Sequence, residues 1–385
     1  MSYASVPKFD TSHIYDYKKL YADYVAEGYT VASKHFNKYK NEANKVVSYL
    51  VKEFELRKNA DQMKRASVAK TGELNLNKIY AYNFSDDIFK RMSIIPEGKS
   101  HGLVMYLDWS GSMVRHLGNT VKQLMNLAMF CRKVNIPFEV YAFIDNTKEE
   151  YMSYVKYQAG DLVCHKFGLL NLLSSRMSNR DFTIACGALM NIAGLGHSYR
   201  AGVGPLWMCL SGTPLNEAII SAMEIVPEFQ KKNNLQIVNT VFLTDGEGSN
   251  NHQIVNTSGY GQHDRFTHMV IRDPKTHDEQ VYERYDNSTK QTDALIRLLK
   301  SRTNSHVIGF FVGNVKDIAF RMNYFFPELN NIKDFNDREI FRDAIKDKFR
   351  KESSLVVTST GFDDYYVLRS GGLDTDDDAE LTFKE

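Results

Sequence analysis

The middle of the chain alternates short apolar runs with amphipathic stretches. Between the runs, apolar residues recur every three or four positions, in one helix that begins near Leu117 and in another that Pro214 opens at its first turn. Such alternation is typical of a mostly parallel sheet with helices on both faces, so an α/β, doubly wound, Rossmann-like fold is predicted. The runs predicted to be buried strands are Leu103–Leu107, Phe138–Ile144, Ile237–Leu243 and Val307–Val312.

The regions on either side of these strands differ in texture. Val46, Leu50 and Phe54 repeat every four residues within a Lys- and Tyr-rich segment, which predicts a helix of several turns. Its polar face is basic, and it is either a solvated surface or a contact for an acidic partner or for phosphates. The predicted regions are a helical N-terminal arm at 1–100, a central domain at 101–352 with insertions at about 146–206 and 246–286, and a C-terminal hairpin with an acidic tail at 353–385.

The two insertions interrupt the alternation of strands and helices. The first is too long for an ordinary connection, and we expect it to fold over the sheet edge as its own substructure. The second contains a hairpin signature around Asp273-Pro274-Lys275-Thr276. After them, a last helix is predicted at Asp337–Phe349, and Leu355–Thr358 is predicted to pair with Tyr365–Arg369.

Composition excludes several classes of protein. The 48 basic residues nearly cancel the 47 acidic ones, so long-range attraction to nucleic acid or to an anionic membrane is not expected. Four cysteines without regular spacing indicate neither a disulfide framework nor a zinc knuckle. No apolar run approaches the roughly 20 residues that span a bilayer, and the N-terminus has no signal pattern. These features predict a soluble, cytoplasmic protein.

Oxygen donors follow three of the apolar or loop segments. The first strand leads into Asp108-Trp109-Ser110-Gly111-Ser112, in which a carboxylate and two hydroxyls occupy alternate positions. Thr213 precedes Pro214, and Asp245 directly follows the strand that begins at Ile237. Ligands gather beyond the carboxyl ends of parallel strands, and such oxygens suit Mg²⁺ or Mn²⁺. The predicted metal ligands are therefore Asp108, Ser110, Ser112, Thr213 and Asp245.

Other interpretations of these residues remain open. Ser110-Gly111-Ser112 can be a simple turn, while Thr213 and Asp245 cap their own loops. Trp109 lies either at the exposed rim of the site, where an aromatic side chain favours a protein contact, or beneath the loop in the core. A softer metal site is disfavoured because its spacing matches no familiar pattern; its members would be Cys164, His165, Cys186 and His197.

The order D-x-S-x-S, then Thr before Pro, then Asp-Gly after an apolar strand resembles the metal-ion-dependent adhesion site of von Willebrand factor A (VWA) domains. The resemblance covers about 103–313. It implies a Rossmann-like VWA domain in which Ser110, Ser112 and Thr213 offer hydroxyl ligands, while Asp108 and Asp245 hold the metal shell directly or through water. One position of that shell would be left for an acidic residue of a partner protein.

Upstream, the segments 54–61 and 67–74, followed by Lys78-Ile79-Tyr80, resemble the region before the A domain in cobalt-chelatase T-type subunits, above all in their homologues from large tailed phages. The resemblance implies a partner, a hexameric AAA+ ATPase of the MoxR or chelatase type, and a cytoplasmic location, in the host if the chain is phage-encoded. The long acidic middle region of the bacterial subunits is missing, which puts cobalt insertion itself in doubt.

Three functional hypotheses follow. The first is a noncatalytic subunit whose Mg²⁺ (or Mn²⁺) engages an AAA+ ATPase or its target. The second is a stand-alone structural or virion-associated binding module. The third is a metal-dependent hydrolase, which is weaker because no general base or Gly-x-Ser-x-Gly motif accompanies Ser110. The chain has no Gly-x-x-x-x-Gly-Lys-Ser/Thr loop, so ATP hydrolysis would occur on another chain.

Overall fold

The computed structural model describes residues 1–65, 67–74, 89–94, 100–152, 155, 157–196, 200–246, 248, 253–258, 261–263, 268–283, 289–358 and 360–369. Within these ranges the helices are α1 (Tyr17–Ala26), α2 (Ser33–Arg65), α3 (Leu117–Lys133), α4 (Asn179–Ile192), α5 (Leu215–Lys232), α6 (Thr289–Thr303), α7 (Val315–Phe325) and α8 (Phe335–Glu352). The strands are β1 (Ser2–Ser5), β2 (Ser67–Leu74), β3 (Phe89–Ile94), β4 (His101–Asp108), β5 (Phe138–Ile144), β6 (Gly168–Ser174), β7 (Ile237–Thr244), β8 (Gln253–Val255), β9 (Gly261–His263), β10 (His268–Arg272), β11 (Glu279–Glu283), β12 (His306–Gly313), β13 (Ser354–Val357) and β14 (Asp364–Arg369).

A seven-stranded sheet forms the centre of the molecule, in the order β13-β14-β12-β7-β4-β5-β6. The five inner strands, from β14 to β5, are parallel to one another. The two outermost strands, β6 and β13, each run antiparallel to the strand beside them. The predicted α/β, mostly parallel architecture is confirmed, and the four predicted strands are β4, β5, β7 and β12.

The central strands are continuously apolar because both faces of the sheet are covered. On β4, Met105 and Leu107 belong to one hydrophobic cluster, which α1, α2, α3 and α4 complete. Val104 and Tyr106 belong to a second cluster, on the opposite face, which α5 and α6 complete. Successive side chains of a strand point to opposite faces, so a strand buried on both sides needs an apolar residue at nearly every position.

The segment 146–206 is part of the main sheet. Its strand β6 is the antiparallel edge strand beside β5, and its helix α4 packs in the same cluster as α3. A capping box between Ser178 and Asp181 fixes the start of α4. The expectation that this segment forms a separate substructure over the sheet edge is therefore wrong.

The N-terminal region contains the strands β1, β2 and β3 besides the helices α1 and α2, and these two helices are built into the same core. Strand β1 pairs with β10, and the hydroxyl of Tyr21 donates to the carbonyl of Leu172 in β6 at 2.8 Å. The face of α2 that is buried carries Phe36 and Val47, and Val46 and Leu50 are largely exposed. The apolar repeat identified the helix correctly but not its buried face.

The later predicted elements are present, with two differences. Strands β10 and β11 form the hairpin around Asp273–Thr276, and β8 pairs with β9. The closing hairpin is β13 with β14, but β14 also pairs with β12 and so extends the main sheet. The last helix is α8, and α7 was not predicted. Lys78-Ile79-Tyr80 and the acidic tail lie outside the described residues.

In the part of the chain that the structure describes, each helix is too short or too polar to cross a membrane.

Asp23 of α1 joins the arm to the loop after β5. Its carboxylate accepts hydrogen bonds from the hydroxyl of Tyr15 at 2.5 Å and from the ammonium groups of Lys19 and Lys148 at 2.8 Å each. Burial alone would raise the pKa of Asp23, but these donors, Lys148 first, outweigh it and hold the pKa well below its usual range. A carboxyl group with a lowered pKa stabilises the fold above its unfolded pKa, and this contribution is lost on acidification.

We predict that Asp23→Asn lowers the free energy of unfolding at pH 7 by about 1.5 to 3 kcal/mol, the usual contribution of a hydrogen bond to a charged group. Urea unfolding at pH 7 and at pH 3 measures this. The difference between wild type and variant should shrink at pH 3, because Asp23 is then largely protonated in the unfolded chain but still ionised in the folded one, so folding must release its proton. Asp347→Asn, in an exposed ion pair on α8, is the matched control and should have little effect at either pH. An equal loss of stability at both pH values would contradict the role given to the charge of Asp23.

Candidate metal site at the carboxyl edge of the sheet

The strand order reverses beside β4. From β4 the chain passes through α3 to β5 on one side, whereas β7 lies on the other side of β4. Because β4 and β7 are parallel neighbours, with Leu107 opposite Leu243, their carboxyl ends meet at one edge. Ligands of open α/β sheets bind at such a reversal point. Asp108 is the last residue of β4, and Asp245 directly follows β7, so both carboxylates are delivered to this edge.

Asp108 is fully buried. Its Oδ2 accepts a hydrogen bond from the hydroxyl of Thr244 at 2.6 Å, whereas its buried Oδ1 has no hydrogen-bond partner among the described residues. Burial raises the pKa of Asp108 to about 7, against the opposing effects of Thr244 and Ser110, and the negative charge of Asp245 contributes to the increase. A buried carboxylate oxygen without a donor is costly, and a cation would offset that cost.

The two serines connect the loop after β4 with Asp245. The hydroxyl oxygens of Ser110 and Ser112 are 3.0 Å apart, and Ser112 donates to Oδ1 of Asp245 at 2.7 Å. Burial raises the pKa of Asp245, while Ser112 and the nearby His116 and Arg321 lower it. Three of the five predicted ligands, Ser110, Ser112 and Asp245, are thus joined by hydrogen bonds across the loops after β4 and β7.

Thr213 is brought to the same edge by its loop. The amide of Gly111 donates to the carbonyl of Ser211 at 2.9 Å, and the amide of Ser211 donates to the carbonyl of Trp109 at 3.2 Å. A β carbon added to Gly246, the residue after Asp245, would lie 3.8 Å from the hydroxyl oxygen of Thr213. The loop that carries Thr213 therefore adjoins both of the others, and all five predicted ligands lie at one edge of the sheet.

Trp109 is buried, with none of its surface exposed. Its indole N–H donates to the carbonyl of Met208 at 2.8 Å. Trp207, the residue before Met208, shares its indole N–H between both carboxylate oxygens of Glu27, at 2.8 and 2.9 Å. The ammonium group of Lys148 lies 4.8 Å from the centre of the Trp207 ring. The prediction that Trp109 lies at the exposed rim of the site is wrong, and the alternative position, packed beneath the loop, is what the structure has.

Asp145 was missed by the sequence analysis. It directly follows β5, the other neighbour of β4, and one of its carboxylate oxygens accepts the amide N–H of Gly212 at 2.9 Å. Its position directly after a buried strand, like that of Asp245, is visible in the sequence. The sequence does not show, however, that β5 lies beside β4, and this neighbourhood is what brings Asp145 to the site.

The softer metal site is not assembled from its described members. Cys186 is buried with the helices on one face of the sheet, whereas Cys164 packs against the cluster on the other face. The backbone amide of the exposed His165 donates to Glu217 at 2.9 Å, and His197 lies outside the described residues. In the described ranges, no three His, Cys, Asp or Glu side chains group to hold a metal ion.

The donors at the sheet edge suit a hard cation that retains part of its water. Two carboxylates and three hydroxyls supply only oxygen, which Mg²⁺ and Mn²⁺ prefer, and Mg²⁺ usually keeps several waters beside a small number of protein ligands. The unpartnered Oδ1 of Asp108 is the observation that a bound cation, or a water in its shell, would explain. The residues present fit such an ion.

Comparisons with known proteins add little to this picture. No family model matches the sequence, and no curated protein matches it. Among solved structures, the pilus adhesin SpaC from Lactobacillus rhamnosus GG is similar over 67% of this chain and 31% of its own, with 12% identity and a TM-score of 0.34. The type V pili tip protein Mfa5 from Porphyromonas gingivalis matches over 48% and 26%, with 9% identity and a TM-score of 0.25. For the human COPII-coat protein Sec24c the shares are 68% and 33%, with 10% identity and a TM-score of 0.26.

The chain thus spans about a third of the length of these proteins, or less. Similarities this low assign neither a family nor a function.

Proposed function

We propose that this protein is a VWA-type interaction subunit that binds Mg²⁺, or Mn²⁺, at the carboxyl edge of its sheet and uses the ion to engage a partner protein. The hydroxyls of Ser110, Ser112 and Thr213 and the carboxylates of Asp108 and Asp245 would hold the ion, directly or through water. The observation that carries the proposal is the buried, unpartnered Oδ1 of Asp108 beside a linked row of hydroxyl and carboxylate oxygens.

The chemistry of the site favours binding over catalysis. When bound, the ion supplies a coordination position that a carboxylate of a partner can complete. The residues of this chain hold the donors in place: Thr244 orients Asp108, and Ser112 orients Asp245. Hydrolysis by a metal-activated water would also need a positioned general base, and none of the contacts described for this site points to one.

For the partner we propose an AAA+ ATPase of the MoxR or chelatase type, which would present an acidic residue to the metal. The support is the resemblance of the N-terminal segment to cobalt-chelatase T-type subunits, together with the lack of a phosphate-binding loop in this sequence. We accordingly propose an accessory, noncatalytic role in the cytoplasm, in an infected host if the gene is carried by a phage.

Metal binding is tested first, without any partner. Titration of the purified protein with Mn²⁺, followed by the electron paramagnetic resonance signal of the free ion, should reveal one site that Mg²⁺ displaces. Asp245→Ala should remove this site, and Asp347→Asn, which changes an exposed carboxylate on α8, should leave it intact. A wild-type protein that takes up no Mn²⁺ would refute the proposed function.

Partner binding is tested with a purified AAA+ ATPase of the MoxR or chelatase type from the same genome. We predict that the two proteins form a complex in Mg²⁺ that dissociates in EDTA, because the proposed contact passes through the metal. Sedimentation or light scattering measures the complex, with Asp347→Asn as the control for a general charge effect. A complex of equal affinity in Mg²⁺ and in EDTA would exclude a metal-bridged interface.

A further inference from the structure

Asp145 occupies a place at the metal edge that none of the predicted ligands fills. The sheet brings β5 directly beside β4, so the residue after β5 stands next to the loop that begins at Asp108. Asp108 is fully buried and Asp245 is half-buried, whereas the side chain of Asp145 is exposed. Its carboxylate is directed at the backbone of the Ser211-Gly212-Thr213 loop.

The contact between Asp145 and Gly212 is both polar and close. Oδ1 of Asp145 accepts the amide N–H of Gly212 at 2.9 Å. A β carbon on Gly212 would overlap Oδ2 of the same carboxylate. Gly212 is not among the residues with positive φ, so its backbone conformation is open to alanine, but the carboxylate of Asp145 would have to move away to admit the added methyl group. The two residues therefore fit each other at a position one residue before Thr213.

The loop that carries Thr213 is held from two sides. On one side, Ser211 exchanges backbone hydrogen bonds with Gly111 and Trp109 of the D-x-S-x-S loop. On the other side, Asp145 holds the amide of Gly212. The loop is therefore anchored at two adjacent residues, Ser211 and Gly212.

We propose that Asp145 is a positioning residue of the metal site, which holds the Ser211–Thr213 loop so that the hydroxyl of Thr213 faces the ion. The inference rests on the proposed function, because it assigns the role of Asp145 relative to that ion. Residues that orient metal ligands typically change metal affinity by about 10- to 100-fold when they are replaced. Asp145 acts through the backbone of Gly212, so the oxygen that accepts the hydrogen bond matters more than its charge.

The test compares the Mn²⁺ affinity of the full chain with three single variants and one double variant, again by electron paramagnetic resonance. Asp145→Ala should weaken binding about 10-fold. Asp145→Asn keeps an acceptor oxygen for Gly212 and should remain within about 3-fold of wild type, since each tenfold change corresponds to about 1.4 kcal/mol. Gly212→Ala should weaken binding through its overlap with the carboxylate. In an Asp145→Ala background, Gly212→Ala should add little, because the overlapping oxygens are gone.

The outcomes separate this inference from the proposed function. Wild-type protein that binds no Mn²⁺ would refute both. Wild-type protein that binds Mn²⁺ with Asp145→Ala at equal affinity would overturn only the role of Asp145. Asp145→Asn as weak as Asp145→Ala would also overturn it, because the charge, not the loop contact, would then matter. Urea unfolding in EDTA, which should differ little among the variants, shows that the affinities refer to folded protein.

Discussion

Asp108→Asn should abolish Mg²⁺ binding and yet leave the protein in EDTA more stable than wild type. The variant keeps the shape of the side chain and an oxygen that can accept the hydrogen bond of Thr244, but it has no negative charge. Loss of a carboxylate ligand should reduce metal affinity by more than the roughly 100-fold seen for residues that only orient ligands. The effect on stability has the opposite sign, since wild type buries a carboxylate oxygen that has no donor in the described chain.

The size of the stability effect follows from the cost of that oxygen. The amide nitrogen of the variant takes the place of that oxygen, so the gain comes from the lost charge: burying a charged group costs more than burying a neutral one, and the variant should gain roughly 1 kcal/mol or more in EDTA. At a Mg²⁺ concentration 100 times the dissociation constant, wild type should gain about 2.7 kcal/mol from the ion and the variant nothing. The stability advantage of the variant over wild type should therefore shrink or reverse when Mg²⁺ is added.

Urea unfolding in EDTA and in Mg²⁺ measures both effects in one experiment. Asp347→Asn is the control, because its exposed carboxylate should neither bind the ion nor alter stability by more than a few tenths of a kcal/mol. If Asp108→Asn were less stable than wild type in EDTA and still responded to Mg²⁺, Asp108 would be a structural cap of its loop. The turn-and-cap interpretation of the motif would then be preferred.

The sheet was predictable where its burial is symmetric. Each central strand is covered on both faces, so its sequence is an apolar run that stands out against the helices. β6 has the same character, in Gly168–Ser174, but it follows a long irregular stretch and pairs antiparallel at the edge. The residues of a strand do not specify which strand it pairs with or in which direction. The sequence alone therefore places β6 in an insertion.

The candidate site was predictable in its donors but not in its supports. Asp108 and Asp245 were found because each ends a recognisable strand, and the two serines because they follow Asp108 at alternate positions. The supports depend on contacts distant in sequence: Asp145 reaches Gly212 across 67 residues, and Trp109 reaches Met208 across 99. Such contacts depend on the strand order, which the local pattern does not specify.

The N-terminal arm takes part in the same support. Glu27, one residue past α1, accepts the single indole N–H of Trp207 with both carboxylate oxygens. The carbonyl of the next residue, Met208, accepts the indole N–H of Trp109. A continuous row of contacts therefore runs from α1 to the D-x-S-x-S loop. The end of α1 is in this way physically connected to the loop that carries Asp108, Ser110 and Ser112.

Trp109→Ala should lower the free energy of unfolding by about 3 to 5 kcal/mol, the usual cost of truncating a large buried aromatic side chain. Trp109 is fully buried within the cluster that α1, α2, α3 and α4 complete, and its removal would also leave the carbonyl of Met208 without the indole donor. Trp109→Phe fills most of the volume but lacks the N–H, so it should lose about 1 to 3 kcal/mol. The matched control is Leu206→Ala. This side chain, directly before Trp207, is 82% exposed, and its truncation should change the free energy of unfolding by less than about 0.5 kcal/mol.

The same variants decide between the two roles considered for Trp109. A supporting role predicts that Mn²⁺ affinity and stability fall together, because the loop between Asp108 and Ser112 loses the side chain that anchors it. An anchor for a partner predicts the reverse: Trp109→Ala would unfold in urea like wild type and bind Mn²⁺ normally, and only the complex with the ATPase would weaken. Since a side chain buried beneath the loop cannot touch a partner without unpacking the core, that second pattern would require the loop to open when the partner binds.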